Sequence, residues 1–434
     1  MHFYSTNNKN LRVSFKEAVF NSLPADRGLY MPERVPSMDP HFLRNLPAHS
    51  LQDIAFTVAR AFIENDIPEA DLRRITEEAI NFEAPVRLLD SETAVLELFH
   101  GPSLAFKDFG ARFMSRVMGY LSDDDRVLDV LVATSGDTGG AVALGFLGVS
   151  GTRVTILYPK GKVSPVQELQ LTTNGQNIRA IEIDGTFDDC QALVKTAFND
   201  EELNAALRLT SANSINIARL IPQTFYYFHA YAQLRSQGAE NVVFSVPSGN
   251  FGNIGAGLLA YKMGLPVTRF IAATNVNDTV PRYLENGHYE PRPSVQTLSN
   301  AMDVGNPSNW VRIMDLFGED REGLDQVISS YAFTDAETCA AIQEVYERFH
   351  YIVCPHTAIA WLAVNAYRKH RPGDYGAVFL STAHPCKFPE VFPPEIAADI
   401  TIPSQVEALM GREKEITAMQ SDFDALKSYL LEHA

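Results

Sequence analysis

The stretch VLDVLVATSGDTGGAVALGF, residues 127–146, passes from a short apolar run through a glycine-rich turn into a segment of helical periodicity. The alternation continues downstream. Apolar runs at 153–158 and 178–184 are separated by stretches with apolar positions at helical spacing. Phe187, Cys190, Leu193, Val194, Ala197 and Phe198 show the pattern, and Thr186 with Asp189 forms the expected capping box of that helix. This rhythm predicts βαβ units and a parallel sheet. Further runs at 242–246, 267–273 and 377–380 predict a second lobe of the same kind.

Working outward, residues 1–90 carry helix-like stretches at 51–64 and 69–82 without strand alternation, which predicts a small, mainly helical N-terminal domain. Residues 91–235 then form the first expected α/β lobe. Residues 236–434 form the second, with a turn at Arg371, Pro372, Gly373 and Asp374 before its last strand and a helical tail at 422–433.

With 434 residues, 46% hydrophobic and 10% aromatic, the chain is long and apolar enough to bury two or three cores. Its formal net charge of -17 argues against a nucleic-acid or anionic-membrane partner, because the overall field repels both. A small anion is bound only where backbone N–H groups and a few cations act locally. The four cysteines, Cys190, Cys339, Cys354 and Cys386, are scattered without metal-site spacing, so no metal is expected and a reduced cytoplasm fits best. The N-terminus lacks the basic and apolar regions of a signal peptide, and no run of about 18 apolar residues suggests a membrane span.

Three segments follow expected strands, where open α/β sheets place their ligands. Thr134, Ser135, Gly136, Asp137, Thr138, Gly139 and Gly140 open a helix whose N–H groups suit a carboxylate or phosphate, and they read equally as a capped helix start. Residues 245–253, SVPSGNFGN, allow close backbone approach to a ligand but match neither a dinucleotide fingerprint nor a P-loop; a generic turn is the alternative. Residues 380–385, LSTAHP, put hydroxyls at a strand end, where they also simply satisfy backbone groups; His384 reads as structural. A fourth segment, LFHGPSLAFKDFG at 98–110, embeds Lys107 among apolar and aromatic residues. Burial there depresses an ammonium pKa and favours the neutral amine that imine chemistry requires, whereas an ordinary lysine snorkels to the surface.

In this order, HGPSLAFKDFG at 100–110, TSGDTG at 134–139, SANSIN at 211–216, SVPSGNFGN at 245–253, AATNVNDTVPR at 272–282 and STAHP at 381–385 resemble the threonine synthases. These are fold-type II pyridoxal-phosphate enzymes. The resemblance implies two parallel-sheet α/β lobes of the tryptophan synthase β-like type behind a small helical N-terminal domain. It implies pyridoxal 5'-phosphate as cofactor, with Lys107 as the Schiff-base lysine that also shuttles protons. Gly249, Asn250, Phe251, Gly252 and Asn253 are similar to the loop that cradles the cofactor phosphate, and Thr382 resembles the hydroxyl facing the pyridine nitrogen. Ser135, Gly136, Asp137 and Thr138 are similar to the loop that receives the substrate carboxylate. Asn often stands at position 137 in related enzymes, and a carboxylate facing the cofactor's phenolic oxygen would accept only if a proton is shared.

The implied reaction converts O-phospho-L-homoserine and water to L-threonine and phosphate by γ-elimination and β-addition of water. Such a substrate needs a second anion site. Ser214, Asn216 and Arg219 offer hydroxyl, amide and guanidinium groups for it, although the same segment reads as a capped helix start. The nearest alternatives are a threonine-synthase-like phospholyase or a serine/threonine dehydratase; from another class, a non-catalytic anion- or nucleotide-binding α/β protein competes. Monomer and homodimer both stay open.

Overall fold

The computed structural model describes all residues except 123–125, 319 and 374; Asp374, in the expected turn, therefore lies outside the described residues. The chain begins with strands His2–Ser5 (β1), Asn8–Ser14 (β2) and Tyr30–Pro32 (β3). They form an antiparallel sheet of order β2-β1-β3. Helices Leu51–Ile63 and Glu69–Ala79 follow, as their periodicity predicts. This small sheet is the part of the N-terminal domain that the expectation of a mainly helical unit omits.

The remaining strands are Val86–Leu88 (β4), Thr93–Glu97 (β5), Leu128–Ala133 (β6), Thr152–Pro159 (β7), Ile178–Asp184 (β8) and Arg208–Ser211 (β9). They continue with Val242–Pro247 (β10), Arg269–Thr274 (β11), Ile328–Ala332 (β12), Gly376–Ser381 (β13) and Thr417–Gln420 (β14). Two sheets result, of order β14-β8-β7-β6-β9 and β12-β11-β10-β13-β5-β4. All pairings within them are parallel except β4 with β5. Every residue of β6, β10 and β11 is buried, as expected for parallel strands covered by helices on both faces. Among the described residues no helix is long and apolar enough to cross a membrane.

The sheets cut across the expected boundaries at 90/91 and 235/236. β5, in the segment assigned to the first lobe, pairs with β13 of the second, Glu97 standing opposite Ser381. β14, in the C-terminal tail, extends the first lobe's sheet beside β8. The reason is tertiary: an apolar run declares that it is buried, not which sheet's edge accepts its backbone hydrogen bonds. The crossover has a structural consequence, because it brings the end of β5, and with it the segment leading to Lys107, beside the end of β13.

Candidate active site

Lys107 is the first residue of the helix Lys107–Leu121. The segment before it is tied to the end of β13: Phe106 N donates to Thr382 O at 2.9 Å, and Ala105 bridges to Ala383. Thr382 is buried. Lys107 itself is half-buried, and desolvation pushes its ammonium down to about 8, with Lys387 and Arg219 adding to the depression and Asp137 opposing it. Selective acylation of Lys107 in the cofactor-free chain, followed by mass spectrometry across pH, should therefore show a midpoint near 8 rather than the ordinary lysine value of about 10.4.

Asp137 opens the helix Asp137–Phe146 and is buried. Its Oδ1 accepts from Lys387 Nζ at 2.8 Å and from Gln167 Nε2 at 2.9 Å. Burial works against the charged form, but the ammonium groups of Lys387 and Lys107 outweigh it and hold the carboxyl well below the usual carboxylate range. The carboxylate is thus neutralised by a buried lysine. Lys387 is fully buried, and its Nζ also donates to Ser103 O at 2.8 Å. Burial pushes His356, beside the same cluster, down to about 4; its Nε2 accepts from Ala301 N at 3.2 Å, so it stands there as a neutral acceptor.

The loop before Asp137 is narrower as an anion site than its sequence implies. Thr134 Oγ1 accepts from Gly136 N at 2.9 Å and from Gly139 N at 2.8 Å. The helical ladder begins with Gly140 N on Gly136 O. The N–H groups of Asp137 and Thr138 are left at the opening, with Ser135 and Thr138 half-buried beside them. Gly136 has φ +129°, and a Cβ there would stand 2.3 Å from the Gln167 carboxamide, so glycine is required.

The second anion loop follows β10. Phe251 adopts the left-handed conformation at φ 59° and caps the helix Gly252–Lys262, whose ladder begins with Gly255 N on Phe251 O. The first N–H groups of that helix are the natural seat of a phosphate. A Cβ on Gly249 would meet Met302 Cα at 2.6 Å, so only glycine admits this close passage. Asn253 is buried; its Oδ1 accepts from Tyr226 and Tyr227 hydroxyls, each at 2.7 Å, while its Nδ2 is buried without a partner. That donor fits a bound phosphate oxygen. Asn250 Nδ2 donates to Ser214 Oγ at 2.7 Å and its Oδ1 accepts from Ser308 N at 2.6 Å, joining this loop to the Ser214 segment.

The short helix Ile217–Leu220, which carries Arg219, packs against both Lys107–Leu121 and Gly252–Lys262. Arg219 is buried; one Nη donates to Ala212 O, and Nε has no partner. Desolvation pushes its guanidinium down to about 10. Gly110 makes room for it, since a Cβ there would lie 2.7 Å from Arg219 Nε. Ser214 Oγ, as acceptor from Asn250, keeps its own hydrogen to donate. Asn216 does not belong to this set. It is fully buried, its Nδ2 donates to Val19 O at 2.8 Å and Ser211 O at 3.3 Å, and its Oδ1 caps the helix by accepting from Ala218 N at 2.9 Å. No donor is left for a substrate phosphate, and the helix-cap reading holds for this residue.

His384 also acts as a cap, its Nδ1 accepting from Cys386 N at 3.2 Å. Lys387, His356 and Gln167 escape the sequence reading. For Lys387 a signal exists: it sits between apolar neighbours, Cys386 and Phe388, as Lys107 follows the apolar Leu104, Ala105 and Phe106.

Known proteins resemble this chain over its whole length. Residues 88–382 match the model of pyridoxal-phosphate dependent enzymes, residues 2–80 that of the threonine synthase N terminus, and residues 357–430 that of the threonine synthase C-terminal region. The threonine synthase of Escherichia coli is 44% identical over 433 residues, covering 100% of both chains. A crystal structure of threonine synthase from the same species superposes with a TM-score of 0.92 at 43% identity, covering 100% of both chains. A pyridoxal-phosphate-bound threonine synthase from Brucella melitensis gives a TM-score of 0.92 at 37% identity, covering 100% of this chain and 99% of the other. The chain belongs to the threonine synthase family of pyridoxal-phosphate-dependent enzymes.

Proposed function

We infer that this chain converts O-phospho-L-homoserine and water to L-threonine and phosphate. The observation that carries the reading is the desolvated amine of Lys107 placed among a neutralised Asp137 and a buried Arg219, within a chain of this family over its whole length. Pyridoxal 5'-phosphate supplies, when bound, an aldehyde that condenses with amines and a pyridine ring that withdraws electrons. The residues present fit it: Lys107 would hold it, the first turn of Gly252–Lys262 with Asn253 Nδ2 would receive its phosphate, and the Thr382 hydroxyl would serve its ring nitrogen.

The protein's own work is positioning and proton movement. Lys107 Nζ, once free as the neutral amine, would take the proton from Cα, release it, and then take one from Cβ. An amine pushed down to about 8 accepts these protons near neutral pH more readily than an ordinary lysine. The N–H groups of Asp137 and Thr138 orient the substrate carboxylate, and the Lys387 ammonium keeps the nearby Asp137 charge from repelling it. Arg219 and Ser214 hold the departing phosphate. Water's hydroxyl joins Cβ; of the protons drawn from Cα, Cβ and the water, one goes to Cγ, one returns to Cα and one leaves with the phosphate.

Incubation with O-phospho-L-homoserine tests the reading: threonine and phosphate should form in equal amounts. Phosphate with a keto acid, and no threonine, would instead identify a phospholyase.

Arg219→Lys keeps the charge but loses the planar fork. It should lower kcat/KM by roughly ten- to hundredfold, the equivalent of a lost charged hydrogen bond worth about 1.5–3 kcal/mol, while leaving cofactor absorbance intact. Wild-type kinetics in this variant would remove Arg219 from the phosphate site.

A further inference from the structure

Arg312 lies in the helix Trp310–Leu316 with 2% of its surface exposed. Its guanidinium contacts are all to neutral oxygens. Nη1 donates to Asn309 Oδ1 at 2.8 Å and Ser214 O at 3.4 Å. Nη2 donates to Ile215 O at 2.6 Å and Tyr30 O at 3.1 Å, and Nε to the same Tyr30 oxygen at 3.3 Å. Among the described residues no carboxylate pairs with it. Such a cation has its hydrogen bonds satisfied while its charge stays uncompensated. Desolvation accordingly pushes the guanidinium down to about 9.

The dipoles around Arg312 are also the walls of the second anion loop. Asn309 Nδ2 donates to Asn250 O at 3.1 Å and reaches Ser214 Oγ at 3.5 Å. A Cβ on Gly252 would stand 3.3 Å from that same Nδ2. The helices Trp310–Leu316 and Gly252–Lys262 pack directly together. The positive charge therefore stands one hydrogen-bonded layer behind a helix start whose Asn253 Nδ2 has no partner. A charge buried without a counter-ion is costly in the empty site, and an anion in front of it recovers that cost.

We propose that Arg312 is the counter-charge for the phosphate held at residues 249–253, a positioning residue that acts through Asn309 and Ser214. This rests on the reading that the loop receives the cofactor phosphate. A purely structural role, stapling Tyr30 of the N-terminal domain to the lobes, makes a different prediction.

The test compares pyridoxamine 5'-phosphate with pyridoxamine, neither of which condenses with Lys107, binding to the full chain cleared of cofactor. Arg312→Gln should weaken the phosphorylated ligand at least about tenfold and the other less than about twofold. Equal weakening of both, or an unchanged ratio, overturns the proposal. Arg312→Lys retains the charge and should retain the wild-type ratio even if its melting temperature falls. Should the glutamine variant not fold, the lysine variant carries the test, and a tenfold shift in its ratio overturns the proposal. Asn253→Asp separates the two levels of inference, since it places a carboxylate against the phosphate. A ratio that falls in Asn253→Asp but not in Arg312→Gln leaves the loop assignment standing and removes Arg312. A ratio unchanged in both places the phosphate elsewhere, and both readings fail.

Discussion

Replacing Lys107 with alanine is expected to lower threonine formation by at least roughly 10²- to 10⁴-fold, the range that a positioned proton-transfer group contributes. In the same variant, borohydride should no longer fix cofactor to the chain. Both effects follow from geometry. Lys107 begins its helix beside the end of β13, while Lys387, the other lysine of the cluster, is fully buried and engaged by Asp137 and Ser103. Lys387 has no free approach to a ligand, so it does not substitute. Borohydride-stable labelling retained in Lys107→Ala, mapped by mass spectrometry, would relocate the site. With the loop 249–253 proposed to hold the cofactor phosphate, reversible cofactor binding should survive at reduced affinity. Loss of all binding would mean that the substitution disturbed the fold instead.

What is legible in the sequence follows from how each element is buried. β6, β10 and β11 are buried along their whole length and stand out as continuous apolar runs. β2, NKNLRVS, is largely exposed, and β3 is only three residues long, so neither leaves a pattern to read. β5 is buried, yet its place beside β13 depends on a crossover between sheets that no local pattern encodes. β14, TAMQ, is an edge strand of four residues with alternate exposure. In the site, glycine requirements are legible because they are local: Gly136 and Gly249 stand where backbone or carboxamide leaves no room. Asn216 shows the opposite case. A segment rich in hydroxyls and amides serves a ligand and a helix cap with the same residue types, and only the burial of its amide against Val19 and Ser211 decides for the cap. Arg312 is unreadable for a related reason, since a lone cation in a sequence normally reaches solvent.

Lys387→Met is expected to cost about 3–5 kcal/mol of stability, because it strands the Asp137 carboxylate in a buried site without its counter-ion. Methionine fills much of the lysine's volume, so the loss reports charge more than packing. Asp137→Asn in the same chain should restore a large part of it, because an uncharged amide needs no counter-ion; urea unfolding of both single variants and the double gives the coupling. The pH dependence follows from the sign of the Asp137 shift. Its folded-state pKa lies below the unfolded value of about 3.9, so the pair's contribution is complete above that value and is lost as pH falls through the folded one. The variant should therefore lose its extra instability in acid, where wild type and Lys387→Met converge. A second consequence concerns Lys107. Lys387 lowers its pKa and Asp137 raises it, so removing the former leaves the carboxylate to hold the Lys107 ammonium alone. The acylation midpoint of Lys107 should move upward from about 8 in Lys387→Met and return toward it in the double variant. A midpoint that does not move would separate the buried pair from the amine's reactivity and confine Lys387 to a structural role.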